Sequence, residues 1–212
     1  MIIISIGVFW VLGSVIYYYS AVNSKIAHKY LNHGTLTELI WTISPAFILI
    51  AIAFPSFRLL YMMDEVIYPL ITIKVIGSQW YWSYEYNDYS TEHGDPIEFD
   101  SYMIPETDLQ IGEWRLLDVD NKMVVPTNTH IRLIATGSDV IHSFAVPSLG
   151  LKLDCIPGRL NQASILTERT GLFYGQCSEI CGVYHGFMPL CIESVDVSNY
   201  LVWVNEFTQD NG

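Results

Sequence analysis

Positive charge is what this chain has least of. Of 212 residues only 10 are Lys or Arg, against 22 Asp or Glu, for a formal net charge of −12. Such a surface repels a phosphate backbone, which argues against a nucleic-acid partner. Charge of either sign is missing from two long stretches. Residues 1–24 carry no charged side chain, and neither do the 19 residues 39–57. A helix crossing a bilayer needs about 20 mostly apolar residues, so both stretches read as membrane spans. Pro45 and Pro55 in the second are tolerated in such helices. No internal repeat is visible.

The chain therefore divides into a transmembrane helical hairpin over residues 1–60, a hinge over 61–69 and a water-exposed domain over 70–212. Asp64 and Glu65 mark the return to water. The loop 25–37 holds Lys25 and Lys29 and no acid, which places it on the cytoplasmic or matrix side. The domain then lies in the opposite compartment. Arg58, near the far interface, is within reach of water by snorkelling. The alternative, a cleaved leader over the first residues, wants a basic start and a shorter apolar core.

From residue 64 onward there are 21 acids and 7 bases. This is either an ordinary solvated face or a docking surface that steers a basic partner. The same region is rich in short β-type runs: 71–76, 80–86, 113–119, 131–136, 143–146, 162–166, 171–176 and 190–195. Turn residues separate them, among them Asp120, Asn121, Pro126, Pro147, Gly150, Pro157 and Gly158. Short strands at this spacing predict an all-β sandwich or barrel. Residues 198–207 form the one helix candidate, capped by Asp196 or Ser198, and 89–96 reads as a polar surface loop.

The densest chemistry lies between residues 177 and 188. Cys177, Cys181, His185 and Met188 fall within twelve residues, and His142 lies 35 residues before Cys177. Thiolate, thioether and imidazole make a soft ligand set that favours copper over magnesium, calcium or manganese. Two thiolates in one short loop can bridge two ions, so the loop reads as half of a dicopper electron-transfer site. Three alternatives stand beside it. A tetrahedral zinc site can use two Cys and two His, but has little use for Met188. A one-copper site needs a single Cys. A Cys177–Cys181 disulfide leaves both His and the Met without a role. Cys155 and Cys191 remain, as a pair or, by default, as buried thiols. Gly182 and Gly186 let the loop turn, and Tyr184, Phe187 and Pro189 are placed to shield metal from water.

Five aromatics crowd residues 80–86. Strand alternation sends Trp80, Trp82, Tyr84 and Tyr86 to one face, more rings than a small barrel interior readily holds. The pattern predicts that some are exposed or packed on a partner.

The ligand loop, the Gln79-Trp80-Tyr81-Trp82 run, residues 145–150, residues 157–162 and residues 61–65 together resemble cytochrome c oxidase subunit II, in order and over nearly the whole chain. Residues 100–105 resemble its mitochondrial branch. The resemblance implies a two-helix membrane anchor, a cupredoxin-like Greek-key barrel and a mixed-valence pair of copper ions, the Cu(A) centre. It implies His142 and His185 as terminal ligands, Cys177 and Cys181 as bridges, Met188 on one copper and the Glu179 carbonyl on the other. The Glu179 carboxylate would hold magnesium shared with the haem-bearing catalytic subunit. Trp80 would receive the electron from cytochrome c. Glu85, Asp88, Asp100, Asp120 and Asp139 match acids that face this basic partner, and Glu38 matches a carboxylate at the mouth of a proton pathway. Glu38 also fits an ordinary acid at a helix end. The resemblance further implies a respiratory oxidase of the mitochondrial inner membrane, its domain in the intermembrane space, with other oxidase subunits as partners and oxygen reduction coupled to proton pumping. A bacterial plasma membrane with a periplasmic domain is the alternative location.

Other functional classes fit less well. A thioredoxin-like copper-delivery protein would alternate helices and strands. Nitrous oxide reductase carries a similar loop without a helical hairpin. The related quinol-oxidase subunit has lost these ligands.

Overall fold

The computed structural model describes residues 1–24, 30, 32–65, 68–90 and 96–210, and of Ser90 and Asp210 the backbone alone. Lys25 and Lys29, part of the 61–69 hinge and most of the 89–96 loop lie outside the described residues. The chain forms two compact units, residues 1–56 and 57–212.

The first unit is built on helix α1 (Ile2–Tyr18) and most of helix α2 (Thr35–Asp64). Neither helix contains a buried residue. Side chains such as Phe9, Trp10, Trp41 and Phe47 are exposed instead. A helix apolar all round with no protein around it suits lipid rather than water. α2, at 30 residues, is long and apolar enough to cross a bilayer. It runs through Pro45 and Pro55 unbroken. α1 is shorter than the charge-free stretch suggests: it has 17 residues, and turns follow from Tyr19.

The second unit is a sandwich of two five-stranded sheets. Its strands are β1 (Ile71–Ser78), β2 (Tyr81–Ser90), β3 (Pro96–Ser101), β4 (Met123–Pro126), β5 (Ile131–Gly137), β6 (His142–Val146), β7 (Leu151–Cys155), β8 (Asn161–Ile165), β9 (Gly171–Cys177) and β10 (Pro189–Val195), followed by helix α3 (Val197–Asp210). One sheet has the order β3-β2-β1-β5-β8 and the other β4-β10-β9-β6-β7. The β1–β5 and β10–β4 pairs are parallel, the rest antiparallel.

Alternation explains the core. Ile71, Ile73 and Val75 of β1, and Ile131, Leu133 and Ala135 of β5, point inward at every second position. Phe144, Leu190 and Ile192 meet them from the other sheet. The aromatic expectation is corrected for three of the four rings. Trp82, Tyr84 and Tyr86 are all fully buried. Two sheets and a covering helix make room that a narrow barrel lacks. Tyr84 packs edge-on to Phe144, and Tyr86 meets Trp203 of α3. Trp80 alone is left part-exposed, just before β2.

The strand expected at 113–119 is also corrected. That segment is a series of turns with one isolated bridge, Val119 to Met103, outside the ten strands, and it meets the sandwich where Asp118 accepts the Tyr174 hydroxyl of β9 at 3.0 Å. Its carboxylates turn the backbone locally. Asp118 accepts the Trp114 N–H at 2.6 Å, and Glu113 accepts the Gln110 N–H at 2.7 Å. Such local bonds compete with strand pairing.

Candidate functional site

The site sits where β6 and β9 lie side by side. Residue pairing sets Phe144 opposite Cys177, which brings the end of β9 to the start of β6 and its first residue, His142. Pro189 pairs with Gln176, so residues 178–188 form a loop held at both ends by the β9–β10 ladder. The Ser178 N–H donates to the Ser143 carbonyl at 3.0 Å. Gly77 of β1 supplies the floor. A Cβ there would come within 2.9 Å of the His142 ring, so bare backbone lets the ring lie against the strand.

This register gathers residues far apart in sequence. Cys177 Sγ lies 4.0 Å from Cys181 Sγ, 3.9 Å from His142 Nδ1 and 3.4 Å from the Glu179 carbonyl. Cys181 Sγ lies 3.5 Å from both His185 Nδ1 and Met188 Sδ. The ligand atoms of His142, Cys177 and Cys181 all fall within 4.8 Å of one another. His142, Cys177, Cys181 and Met188 are buried, with His185 half-buried. All four cysteines are free thiols. Sulfurs about twice a disulfide's length apart leave room for a metal ion between them, since metal–sulfur bonds run near 2.3 Å.

Electrostatics at the two sulfurs differ. Burial works against the Cys177 thiolate, but hydrogen bonds from His142, the Ser143–Glu179 backbone and His185 outweigh it and pull the thiol down. Burial and the neighbouring Cys177 charge push Cys181 up. A cation would relieve the repulsion between two thiolates, and its binding would release a proton.

The structure adds residues that the sequence reading did not place here. Asp139 Oδ1 lies 2.9 Å from His142 Nε2, turning Nδ1 toward the sulfurs. Its carboxylate also accepts the Val140 N–H at 2.6 Å and the Gln79 N–H at 2.8 Å. Burial alone would raise its pKa, yet these bonds hold it below the usual carboxylate range. The spacing of three residues between Asp139 and His142 was the available signal. Trp82 donates its indole N–H to the Met188 carbonyl at 3.2 Å, fixing the loop's far end.

Of the remaining candidates, Trp80 packs edge-on against Tyr184, centroids 5.0 Å apart, and Tyr184 against Phe187. Both loop aromatics are about half exposed, at 53% and 45%, so the cluster's rim is apolar. Among the acids, both carboxylate oxygens of Glu85 accept from Lys74 Nζ, at 2.8 and 2.9 Å, and the exposed Asp88 accepts the Thr72 N–H. Asp100 and Asp120 are exposed and flank Tyr102, which stacks on Tyr81, one residue from Trp80. Glu38 lies in the first turn of α2 and accepts the Gly34 N–H at 3.0 Å, as a helix-end carboxylate does. Glu179 is half-buried beside the cluster.

Comparison with known proteins covers both units. The family described as "Cytochrome C oxidase subunit II, transmembrane domain" matches residues 1–59, and "Cytochrome C oxidase subunit II, periplasmic domain" matches residues 71–195. A relative named cytochrome c oxidase subunit 2 from Mycosarcoma maydis is 66% identical over 97% of this chain and 80% of its own length. One of the same name from Chondrus crispus is 58% identical over 96% and 80%. The crystal structure of the periplasmic domain of subunit II of cytochrome oxidase from Bradyrhizobium japonicum superposes with a TM-score of 0.61 at 47% identity. It covers 69% of this chain and 99% of that one. A further crystal structure shows subunit II of a cytochrome c oxidase in a mixed disulfide with a thioredoxin-like protein. It matches with a TM-score of 0.58 at 46% identity, over 69% of this chain and 96% of that one.

Proposed function

The chain belongs to the cytochrome c oxidase subunit II family, and from that premise we propose that it is the electron-receiving subunit of a respiratory oxidase, holding a pair of copper ions in the Cys177–Met188 loop. It is a membrane-anchored subunit with a cupredoxin-like domain. In this reading it takes electrons from cytochrome c and hands them to the haem-bearing subunit, where oxygen is reduced to water and protons are pumped. The inner mitochondrial membrane, with the acidic domain in the intermembrane space, is the location that fits.

One observation carries the reading: two free sulfurs 4.0 Å apart, with imidazole nitrogens, a thioether and a carbonyl within 3.9 Å of one or the other. That donor set is soft and fits copper. Copper, when bound, supplies one-electron redox chemistry shared across the sulfurs. The protein's own work is positional. Cys177 and Cys181 would bridge, His142 and His185 would close the ends, and Met188 and the Glu179 carbonyl would complete the two shells. Burial keeps water out, and the two strands hold the ligands near their final places, so little rearrangement accompanies a change of charge. Trp80, part-exposed with its ring against Tyr184, would offer an aromatic path to the cluster. The Glu179 carboxylate would hold magnesium at the boundary with the catalytic subunit. Glu38 would serve the proton pathway, and Glu85, Asp88, Asp100, Asp120 and Asp139 would face cytochrome c. The related subunit II in mixed disulfide with a thioredoxin-like protein suggests that Cys177 and Cys181 must be kept reduced before metal arrives.

Copper quantitation and EPR on the purified subunit test the assignment. Two coppers per chain with the electron shared over both is the expected result, and Cys177→Ser should abolish the pair. One copper with a localised spectrum, or an unchanged spectrum in Cys177→Ser, overturns it.

A further inference from the structure

Three separate parts of the chain meet at Gln79, a residue outside the ligand set. Its side-chain amide donates to the Cys181 carbonyl at 2.8 Å, across 102 residues of sequence. Its backbone N–H donates to Asp139 Oδ2 at 2.8 Å, and the other oxygen of that carboxylate lies 2.9 Å from the His142 ring. One residue thus bonds to the loop that carries Cys181 and to the carboxylate that orients His142. The neighbouring packing is equally close. Gly182 stands at φ +129°, where a side chain is strained, and a Cβ there would crowd the Trp80 ring at 3.0 Å and Gln79 Nε2 at 3.2 Å. The turn between β1 and β2 therefore presses directly on the backbone of the ligand loop. That loop spans eleven residues between β9 and β10, with Ile180 and Val183 exposed on its outer side and Cys181 between them buried.

We propose that Gln79 is a positioning residue that joins the two sequence-distant halves of the site, holding the loop at Cys181 against the His142–Asp139 pair before metal is bound. The proposal rests on the metal-site reading for its purpose, but the hydrogen bond to Cys181 acts in the metal-free chain. A donor to that carbonyl is needed, and length alone does not suffice. Gln79→Met keeps the length and loses the donor. Gln79→Glu keeps length and polarity but presents only acceptors to the carbonyl at neutral pH.

Hydrogen exchange on the metal-free full chain in detergent, read peptide by peptide, decides the matter, with copper release to a chelator as the second readout. Both variants should exchange the 178–188 amides about three- to tenfold faster, the worth of one hydrogen bond, while peptides from β1, β5 and β10 stay unchanged. Copper should leave the loaded variants faster by a similar factor, with altered EPR hyperfine couplings at equal copper content. Unchanged exchange in the loop overturns the proposal. So does loosening spread evenly through the sandwich, or failure of both variants to fold, since each marks a general structural role. If the unaltered chain takes up no copper, the metal-site reading falls, yet loop exchange still decides the role of Gln79.

Discussion

At the scale of single residues, the four cysteines separate by environment rather than by sequence. Cys155 and Cys191 are fully buried, and burial pushes both thiols up to about 12. Cys177 is pulled the other way by its hydrogen bonds, despite burial. The thiolate is the reactive form. At pH 8, iodoacetamide should therefore modify the metal-free folded chain at Cys177 well before Cys155 or Cys191, by at least about tenfold, as read from peptide masses. Equal rates would show that burial does not protect the latter pair. The sign of the pH effect follows from the same shift. Below the unfolded thiol value of about 8.5 Cys155 and Cys191 keep their protons in both states. Between there and about 12 only the unfolded chain ionises, so stability falls as pH rises. Cys191→Ala should remove its share of that fall, up to about 1.4 kcal/mol per pH unit, in urea unfolding followed by Trp fluorescence at pH 8 and pH 10.

At the scale of elements, the strands missed in the sequence are instructive. β3, β4 and β7 all lie at sheet edges. β3 carries Pro96, Glu98 and Asp100, and β7 carries Lys152 and Asp154. Proline and charge are what edge strands use to discourage further pairing, and they also blur the alternation that marks a strand. The inner strands β1, β5, β9 and β10 were legible because burial on one face or both kept their pattern apolar. β9 illustrates how little tolerance such an element has. A Cβ on Gly175 would collide with the Ala145 carbonyl oxygen on β6 and come within 2.9 Å of Leu190 Cδ1. Gly175→Ala should therefore cost at least about 2 kcal/mol and, by shifting Cys177 two residues on, should depress copper uptake in step with stability. Normal uptake with lowered stability would show that β9 can move without carrying the site along.

At the scale of the whole molecule, the chain joins an apolar helix pair to a domain whose charge is strongly negative. Neutralisation is uneven over that domain: Glu85 is held by Lys74, whereas Asp100 and Asp120 are exposed beside the Tyr81–Tyr102 stack next to Trp80. If these acids steer cytochrome c, the double variant Asp100→Asn, Asp120→Asn should slow its reaction with the assembled oxidase about fivefold at low ionic strength, and the difference should fade as salt rises. A loss independent of salt would assign these residues to structure instead, through the hydrogen bonds Asp120 makes to the backbone of Tyr102 and Asn121.

Much of this protein was written in local pattern. Charge-free runs determined two apolar helices, β-branched alternation determined a sheet domain, and the spacing of Cys177, Cys181, His185 and Met188 determined a soft-ligand loop, because each depends on neighbours along the chain. That Trp82, Tyr84 and Tyr86 are core rather than surface turns on the space between two sheets and α3, which no local pattern reports. Strand register also places Gln79 against Asp139 and Cys181, 60 and 102 residues away in sequence, whereas the Asp139–His142 contact lies within a three-residue spacing.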